Sequence, residues 1–308
     1  MSRRDDDACA VIRARVVFLS PTTSLMFDRS RVRCTTGGPV DRGRSCLGPT
    51  LALLAAALLA GCGAEPAAEG PALTVPAGSA HGRSVLLLTL DTLRADRLGS
   101  YGFGGAATPT LDALAAGGVR FTDAIATAPM TLPSHATILT GLYPPRHGVR
   151  DNGSFRLDDG LTTLTERLGQ AGYATGAFIG SFVLDRRYGL AQGFDVYDDR
   201  MPDSRRFSGL HGGSPQRPGD LVTDAALGWL TTHLDATPDV PFFAWVHLFD
   251  AHTPYSPPEP FATTFRDDRY SGEIAFLDQQ IGRLVEFLRR LSLLDQVLIV
   301  VVGDHGEG

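Results

Sequence analysis

Two apolar runs of this sequence end in acids: Leu90-Asp91-Thr92 and Gly303-Asp304-His305-Gly306-Glu307. Carboxylates at the ends of separate strands supply hard oxygen ligands that converge at one sheet edge, a metal-binding arrangement. Each has a structural alternative. Asp91 can cap a following helix, and Asp304-His305-Gly306 can form a turn. Together they favour the metal, because the same edge is supplied twice. A third stretch runs from Ala128-Pro129-Met130-Thr131-Leu132-Pro133-Ser134-His135 to Gly141. Pro133 sits where the first turn of a helix is expected, with Thr131 just before it. Free N–H groups and the helix dipole would then face an anion. A hydroxyl there, beside a divalent ion that lowers its pKa, is a candidate nucleophile for sulfate or phosphate esters. The alternative is a plain Ser/Thr cap.

Such residues need a scaffold, and the hydrophobic pattern supplies one. Ser84–Leu90 and Gln296–Val302 are continuous apolar runs, as in strands buried on both faces. Strands are also expected at Ala174–Ile179 and Phe242–Phe249. Between them lie helical patterns at Pro109–Ala116 (Thr108 as cap, Gly117-Gly118 as stop), Ser134–Thr140, Leu161–Ala171, Asp220–Leu234 and Tyr270–Leu291. This alternation predicts an α/β fold with a largely parallel central sheet and helices on both faces. In such sheets ligands gather at the carboxyl ends of the strands.

The 308 residues are 43% apolar and 20% charged, a globular profile. The net charge of −6 is split. Residues 1–62 carry 9 Arg against 5 Asp, and the rest carries −10. An acidic body without a basic stripe argues against nucleic acid as a partner. There is no Lys, so no Schiff base, P-loop or Lys clamp is possible in this chain. All four Cys (9, 34, 46 and 62) lie in the first 62 residues, leaving the body without a disulfide or thiol nucleophile. Leu51–Ala60 is too short to span a bilayer, which takes about 20 residues. Arg42 and Arg44 precede it and Gly61-Cys62 follows, the plan of a secretory signal peptide. Leu59-Ala60-Gly61-Cys62 resembles a bacterial lipobox, which implies lipidation at Cys62 and a membrane-anchored lipoprotein on the periplasmic face or outer membrane. Residues 1–39 fit no leader pattern and read as a misplaced start. Residues 63–82 read as a flexible tether, and folded sequence begins near Arg83.

Four blocks resemble the sulfatase family of the alkaline-phosphatase superfamily: Val85–Gly99, Thr108–Asp112, Thr131–Gly148 and Gly303–Glu307. A fifth, Pro241–Pro254, places His252 at the family's anion-contacting histidine. The resemblance covers about residues 83–308. It implies an alkaline-phosphatase-like fold and ester hydrolysis at one divalent ion, Ca²⁺ by the family's habit. The domain it implies continues past residue 308, so a C-terminal truncation is expected.

The departures bear on mechanism. The family's nucleophile motif begins with a Cys or Ser that becomes formylglycine, and it ends in Arg. Here Thr131 and His135 hold those positions. The methyl on its carbinol carbon prevents Thr131 from becoming that aldehyde. Thr92 replaces a second aspartate, and a Lys and His pair would fall near Gly180-Ser181-Phe182-Val183, where neither exists. What remains is Asp91, Thr131, Asp304 and His305, similar to the branch with a Thr nucleophile, which includes phosphodiesterases and phosphoethanolamine-type transferases. By that resemblance Thr131 attacks directly as an alkoxide and forms a covalent ester. The His305 nitrogen tilts the ion towards Zn²⁺ or Mn²⁺. His252, and less directly His135, would bind the anion or protonate the leaving group.

Other polar residues read as structural. His147 shapes a loop, His247 is a core histidine, and Asp198-Asp199 and Asp267-Asp268 are solvated turns. The function expected is metal-dependent hydrolysis of sulfate esters, with phosphate esters as competitor. The substrate is a small-molecule, glycan or lipid ester. A non-catalytic binder of sulfated or phosphorylated glycans is the alternative.

Overall fold

The computed structural model describes residues 80–202 and 216–307, with residue 78 and the backbone of 16–19. The leader and lipobox expected at 40–62, and the tether expected at 63–82 up to residue 77, lie outside the described residues, while residues 80–82 form a turn. Seven parallel strands form one sheet in the order β3-β1-β7-β2-β6-β4-β5. They are β1 (Val16–Leu19), β2 (Ser84–Leu90), β3 (Val119–Arg120), β4 (Ala174–Ile179), β5 (Val196–Asp198), β6 (Phe242–Leu248) and β7 (Val297–Gly303). The helices are α1 (Pro109–Ala116), α2 (Thr131–Thr140), α3 (Pro144–His147), α4 (Leu164–Gln170), α5 (Gly219–Ala236), α6 (Phe261–Thr264) and α7 (Arg269–Arg290). Among the described residues no helix is long and apolar enough to cross a membrane. β1 falls in the segment read as preceding the true start, and it pairs with both β3 and β7.

Side chains alternate across a strand, so each central strand feeds two cores. Leu86, Leu88 and Leu90 of β2 join Phe242, Ala244, Val246 and Leu248 of β6 under α1, α5 and α7. Leu87, Phe243 and Trp245 face the opposite way and pack with Leu132, Ala136 and Leu139 of α2. The α/β class with helices on both faces is therefore as expected. Gly176 shows why one strand position stays bare: a Cβ there would stand 3.0 Å from the Trp229 ring of α5.

Strands β2 and β4 and helix α1 keep the expected bounds, and the other expected strand and helix ends shift modestly. Two differences matter. Helix α2 begins at Thr131 rather than Ser134, with Met130 as its N-cap. Proline is tolerated through a first turn, whose N–H groups have no partner in the helix, so Pro133 marks the turn but not its first residue. Helix α4 begins at Leu164 rather than Leu161. Thr163 and Glu166 form a reciprocal capping box that fixes its start.

Candidate metal centre

Alternation decides which polar side chains meet α2. Thr89 lies on the Leu87 face of β2 and His247 on the Trp245 face of β6, and the two are directly paired in register. Asp91 follows β2, and Asp304 follows β7 at the same edge. The N-terminus of α2 comes down onto this edge. Ser134 Oγ donates to the Asp304 carbonyl at 2.6 Å, and Thr131 Oγ1 stands 3.3 Å from both Asp91 Oδ2 and His305 Nε2. The four residues expected to share a metal are thus brought together.

Asp91, Asp304 and His305 are buried, and their ligand atoms all lie within 4.8 Å of one another. Asp304 Oδ1 accepts from the amides of Thr92 (3.1 Å) and His305 (2.7 Å). That leaves Asp304 Oδ2 and Asp91 Oδ1 buried without a hydrogen-bond partner. His305 Nδ1 lies 2.9 Å from the Gly306 carbonyl, which can only accept, so Nδ1 carries the proton and Nε2 presents a lone pair. That lone pair lies 3.6 Å from Asp304 Oδ2 and 3.9 Å from Asp91 Oδ1. Burial, and then the charge of Asp304, pushes the Asp91 carboxyl well above the usual carboxylate range. Burial pushes Asp304 up to about 6. Two facing carboxylates with unused oxygens are costly in a dry site unless a cation or proton lies between them. The donor set, two carboxylates with an imidazole nitrogen and a hydroxyl, fits a divalent ion.

The ion would bind only the folded chain. Adding Zn²⁺ or Mn²⁺ to chelator-treated protein is therefore expected to raise its thermal midpoint, by about 2.7 kcal/mol of stability at a hundredfold excess over Kd. Calorimetry checks this, and a midpoint indifferent to both ions contradicts it.

Thr92, at the position of the family's second aspartate, adopts a left-handed φ of 51°. Its hydroxyl donates to the Ala251 carbonyl at 2.8 Å, and its own carbonyl accepts from Tyr270 at 2.7 Å. It is spent on bending the chain so that its amide meets Asp304. The anion site at α2 is narrower than expected. The Leu132 amide donates to Asn152 Oδ1 at 2.9 Å, and Pro133 has no N–H. Asn152 was not singled out in the sequence, although Asp151-Asn152-Gly153 is a turn signal that brings it there.

His135 corrects an expectation. It is fully buried, with Nδ1 2.7 Å from the Thr131 carbonyl and Nε2 2.9 Å from Thr89 Oγ1. Burial lowers it to about 3. It supports the first turn of α2 from behind and has no free nitrogen for an anion or a leaving group. His252 is at the surface of the site. Its ring stacks on Phe249 at 4.6 Å, and Nδ1 lies 2.6 Å from the Thr253 carbonyl, so Nε2 is its open nitrogen. Burial depresses it. It lines a cavity of about 360 Å³ with Phe249, Asp250, Arg217, Ser256 and Glu273. This cavity lies beside the acid cluster rather than on it. Burial raises Glu273 to about 8 and Asp250 to about 6.

His147 is structural as expected, held between Thr137 and the Val149 amide. Asp198 is not a solvated turn: it is buried and paired with Arg200 and Arg217. Asp268 caps α7 and pairs with Arg97.

Residues 83–308 match the Sulfatase family. The chain is 26% identical over 267 residues to human N-acetylgalactosamine-6-sulfatase, covering 74% of this chain and 51% of that protein. It is 27% identical over 264 residues to the ulvan-active sulfatase of Formosa agariphila, covering 73% and 50%. The chain thus spans about half the length of these curated relatives. In fold it resembles the phosphonate monoester hydrolase of Agrobacterium radiobacter, with a TM-score of 0.59 at 23% identity over 73% of this chain and 62% of that one. With the match running through both strand-end acid motifs and the α2 turn, the chain belongs to the sulfatase family.

Proposed function

We propose that this chain hydrolyses sulfuric esters at the Asp91–Asp304–His305 centre, with Thr131 as the nucleophile. One observation carries the reading: the Thr131 hydroxyl stands 3.3 Å from both Asp91 Oδ2 and His305 Nε2, at the first turn of a helix. A divalent ion held by Asp91, Asp304, His305 and Thr131 would supply Lewis-acid polarisation and ease ionisation of the hydroxyl. Asp91 Oδ2 is placed to accept the Thr131 proton. Thr131 Oγ1 then forms a bond to sulfur as the sulfur–oxygen bond to the alcohol breaks, and the alcohol oxygen leaves with the bonding pair. In the second step the water oxygen bonds to sulfur as the sulfur–Thr131 Oγ1 bond breaks, the Asp91 proton returns to Thr131, and His252 Nε2, its tautomer fixed through Thr253, is the base available to take the water proton and pass it to the departed alkoxide.

The names of the two relatives support a sulfated glycan as substrate class. The cavity beside His252 offers room for one. Phosphate esters are the second reading, because a Thr hydroxyl cannot follow formylglycine chemistry and a phosphonate hydrolase shares the fold. The Leu51–Cys62 segment supports a tethered protein outside the cytoplasm. Turnover of an aryl sulfate and an aryl phosphodiester, measured side by side with the metal present, separates the readings. Faster sulfate hydrolysis is expected. Phosphodiester hydrolysis alone would transfer the site to the second reading.

A further inference from the structure

Helix α7 buries Tyr270, Ile274, Leu277 and Ile281 in the core, and Glu273 stands in the same stripe, one turn from Tyr270 and Leu277. It is only 4% exposed. A buried carboxyl destabilises the fold unless its oxygens find partners. Glu273 has one: Oε1 accepts from the Ser256 amide at 2.5 Å. Oε2 has no hydrogen bond among the described residues and opens onto the cavity beside His252. Asp250 and Arg217 also line that cavity, and both are occupied. Asp250 Oδ1 accepts from the Gly219 amide at 3.0 Å, at the first residue of α5, and its Oδ2 is closed off from solvent. Arg217 donates to the Leu221 carbonyl at 3.0 Å and lies 3.3 Å from Asp198. Phe276 and the Phe249–His252 stack give the cavity apolar faces. Its volume of about 360 Å³ is that of a small-molecule site, roughly 300–1,000 Å³. Such walls suit a sugar, whose C–H faces lie against rings while a hydroxyl reaches the free carboxyl oxygen. Burial, and then the charge of Asp250, raises Glu273 to about 8. Near neutral pH it is therefore an acid O–H, which can donate to a hydroxyl and accept from one, and it offers an ammonium group no charge.

We propose that Glu273 is a specificity-determining residue: through Oε2 it binds a hydroxyl of the sugar whose sulfate is cleaved, holding that sugar in the cavity beside His252. The inference rests on the sulfated-glycan reading above and assigns the group that recognises the alcohol half of the ester. His252 lines this cavity and, in the mechanism above, serves the reacting ester, so the alcohol half lies on the cavity side and the sulfate on the metal side. It also gives a task to the one carboxyl in the apolar stripe of α7 that faces this cavity.

Two substrates separate recognition from chemistry: a hexose 6-sulfate, which carries hydroxyls, and 4-nitrophenyl sulfate, which carries none. Methionine fills the volume of Glu273 without a strong hydrogen-bonding group, and Ser256 is exposed, so water can take over its amide. With metal-loaded protein, Glu273→Met is expected to raise KM for the hexose sulfate about tenfold with kcat nearly unchanged, and to turn over 4-nitrophenyl sulfate as wild type does. Glu273→Gln keeps an acceptor for Ser256 and a donor for the hydroxyl, and is expected to restore most of the wild-type KM. Among monodeoxy analogues of the hexose sulfate, one is expected to lose the same factor with wild type and nothing further with Glu273→Met, a coupling that a purely structural role does not give. If Glu273→Met impairs both sulfates alike, or neither, this inference falls and the ester chemistry stands. The deoxy series on wild type decides even if the methionine variant fails to fold: a KM indifferent to every single hydroxyl overturns the proposal. If wild type cleaves neither sulfate, the sulfated-glycan reading falls and the inference with it.

Discussion

Thr131→Ala is expected to lower kcat by on the order of 10⁴-fold or more, the scale on which enzymes lose rate when a covalent nucleophile is removed. Thr131→Ser is expected to keep most of the rate, since it retains the oxygen 3.3 Å from Asp91 and His305. Neither change disturbs the rest of the cluster. The Thr131 carbonyl that anchors His135 belongs to the backbone, and the three buried ligands remain. Metal affinity should therefore fall much less than turnover. Steady-state kinetics on the preferred ester, with metal content measured on the same samples, checks both halves. Turnover that survives in Thr131→Ala removes Thr131 from the nucleophile's place, whatever ester is used.

Asp304→Asn is expected to abolish tight metal binding and yet stabilise the metal-free protein. Asparagine can still accept from the Thr92 and His305 amides through Oδ1. What it removes is a buried charge facing Asp91. The folded chain holds Asp304 at about 6, above its ordinary value of 3.8. An acid with a raised folded pKa favours folding below the unfolded value, and that contribution is lost as pH rises through the folded one. The advantage of Asp304→Asn over wild type should thus grow from pH 4 to pH 6 and remain above it, reaching on the order of 3 kcal/mol. Urea denaturation in chelator at pH 4.5 and pH 7 measures this difference. In the presence of Zn²⁺ the order should reverse, because only the wild type gains from the ion. A variant less stable than wild type in chelator at pH 7 would mean that the two carboxylates are not held against each other.

Much of this site can be read from one dimension, for reasons that differ by residue. Asp91 and Asp304 were legible because doubly buried parallel strands are uninterrupted apolar runs, so the first polar residue after each run marks the sheet edge. Thr131 was legible through Pro133, but the helix start was misplaced because proline marks a first turn and not a single position within it. His135, at the position of the family's Arg, reads as anion-facing and is not. It lies four residues after Thr131, on the same side of the helix, but that side turns down onto β2 at Thr89. His247 alternates with Phe243 and Trp245, reads as a core side chain and is fully buried. That its Nδ1 meets Thr89 and its Nε2 lies 3.6 Å from Asp91 depends on strand pairing across more than a hundred residues, which no local pattern carries. Thr92 shows the same limit, because the left-handed turn that commits its hydroxyl to Ala251 is set by the neighbouring loop.

Turnover at this centre passes through a covalent ester on Thr131 in the mechanism proposed above. The direct test is mass spectrometry of metal-loaded wild-type protein, quenched in acid during turnover of its preferred aryl ester and digested. A sulfuryl or phosphoryl increment is expected on the peptide containing Thr131, localised to that residue and absent without metal. An unmodified Thr131 peptide from an enzyme that is turning over, with Thr131→Ala equally active, would contradict it.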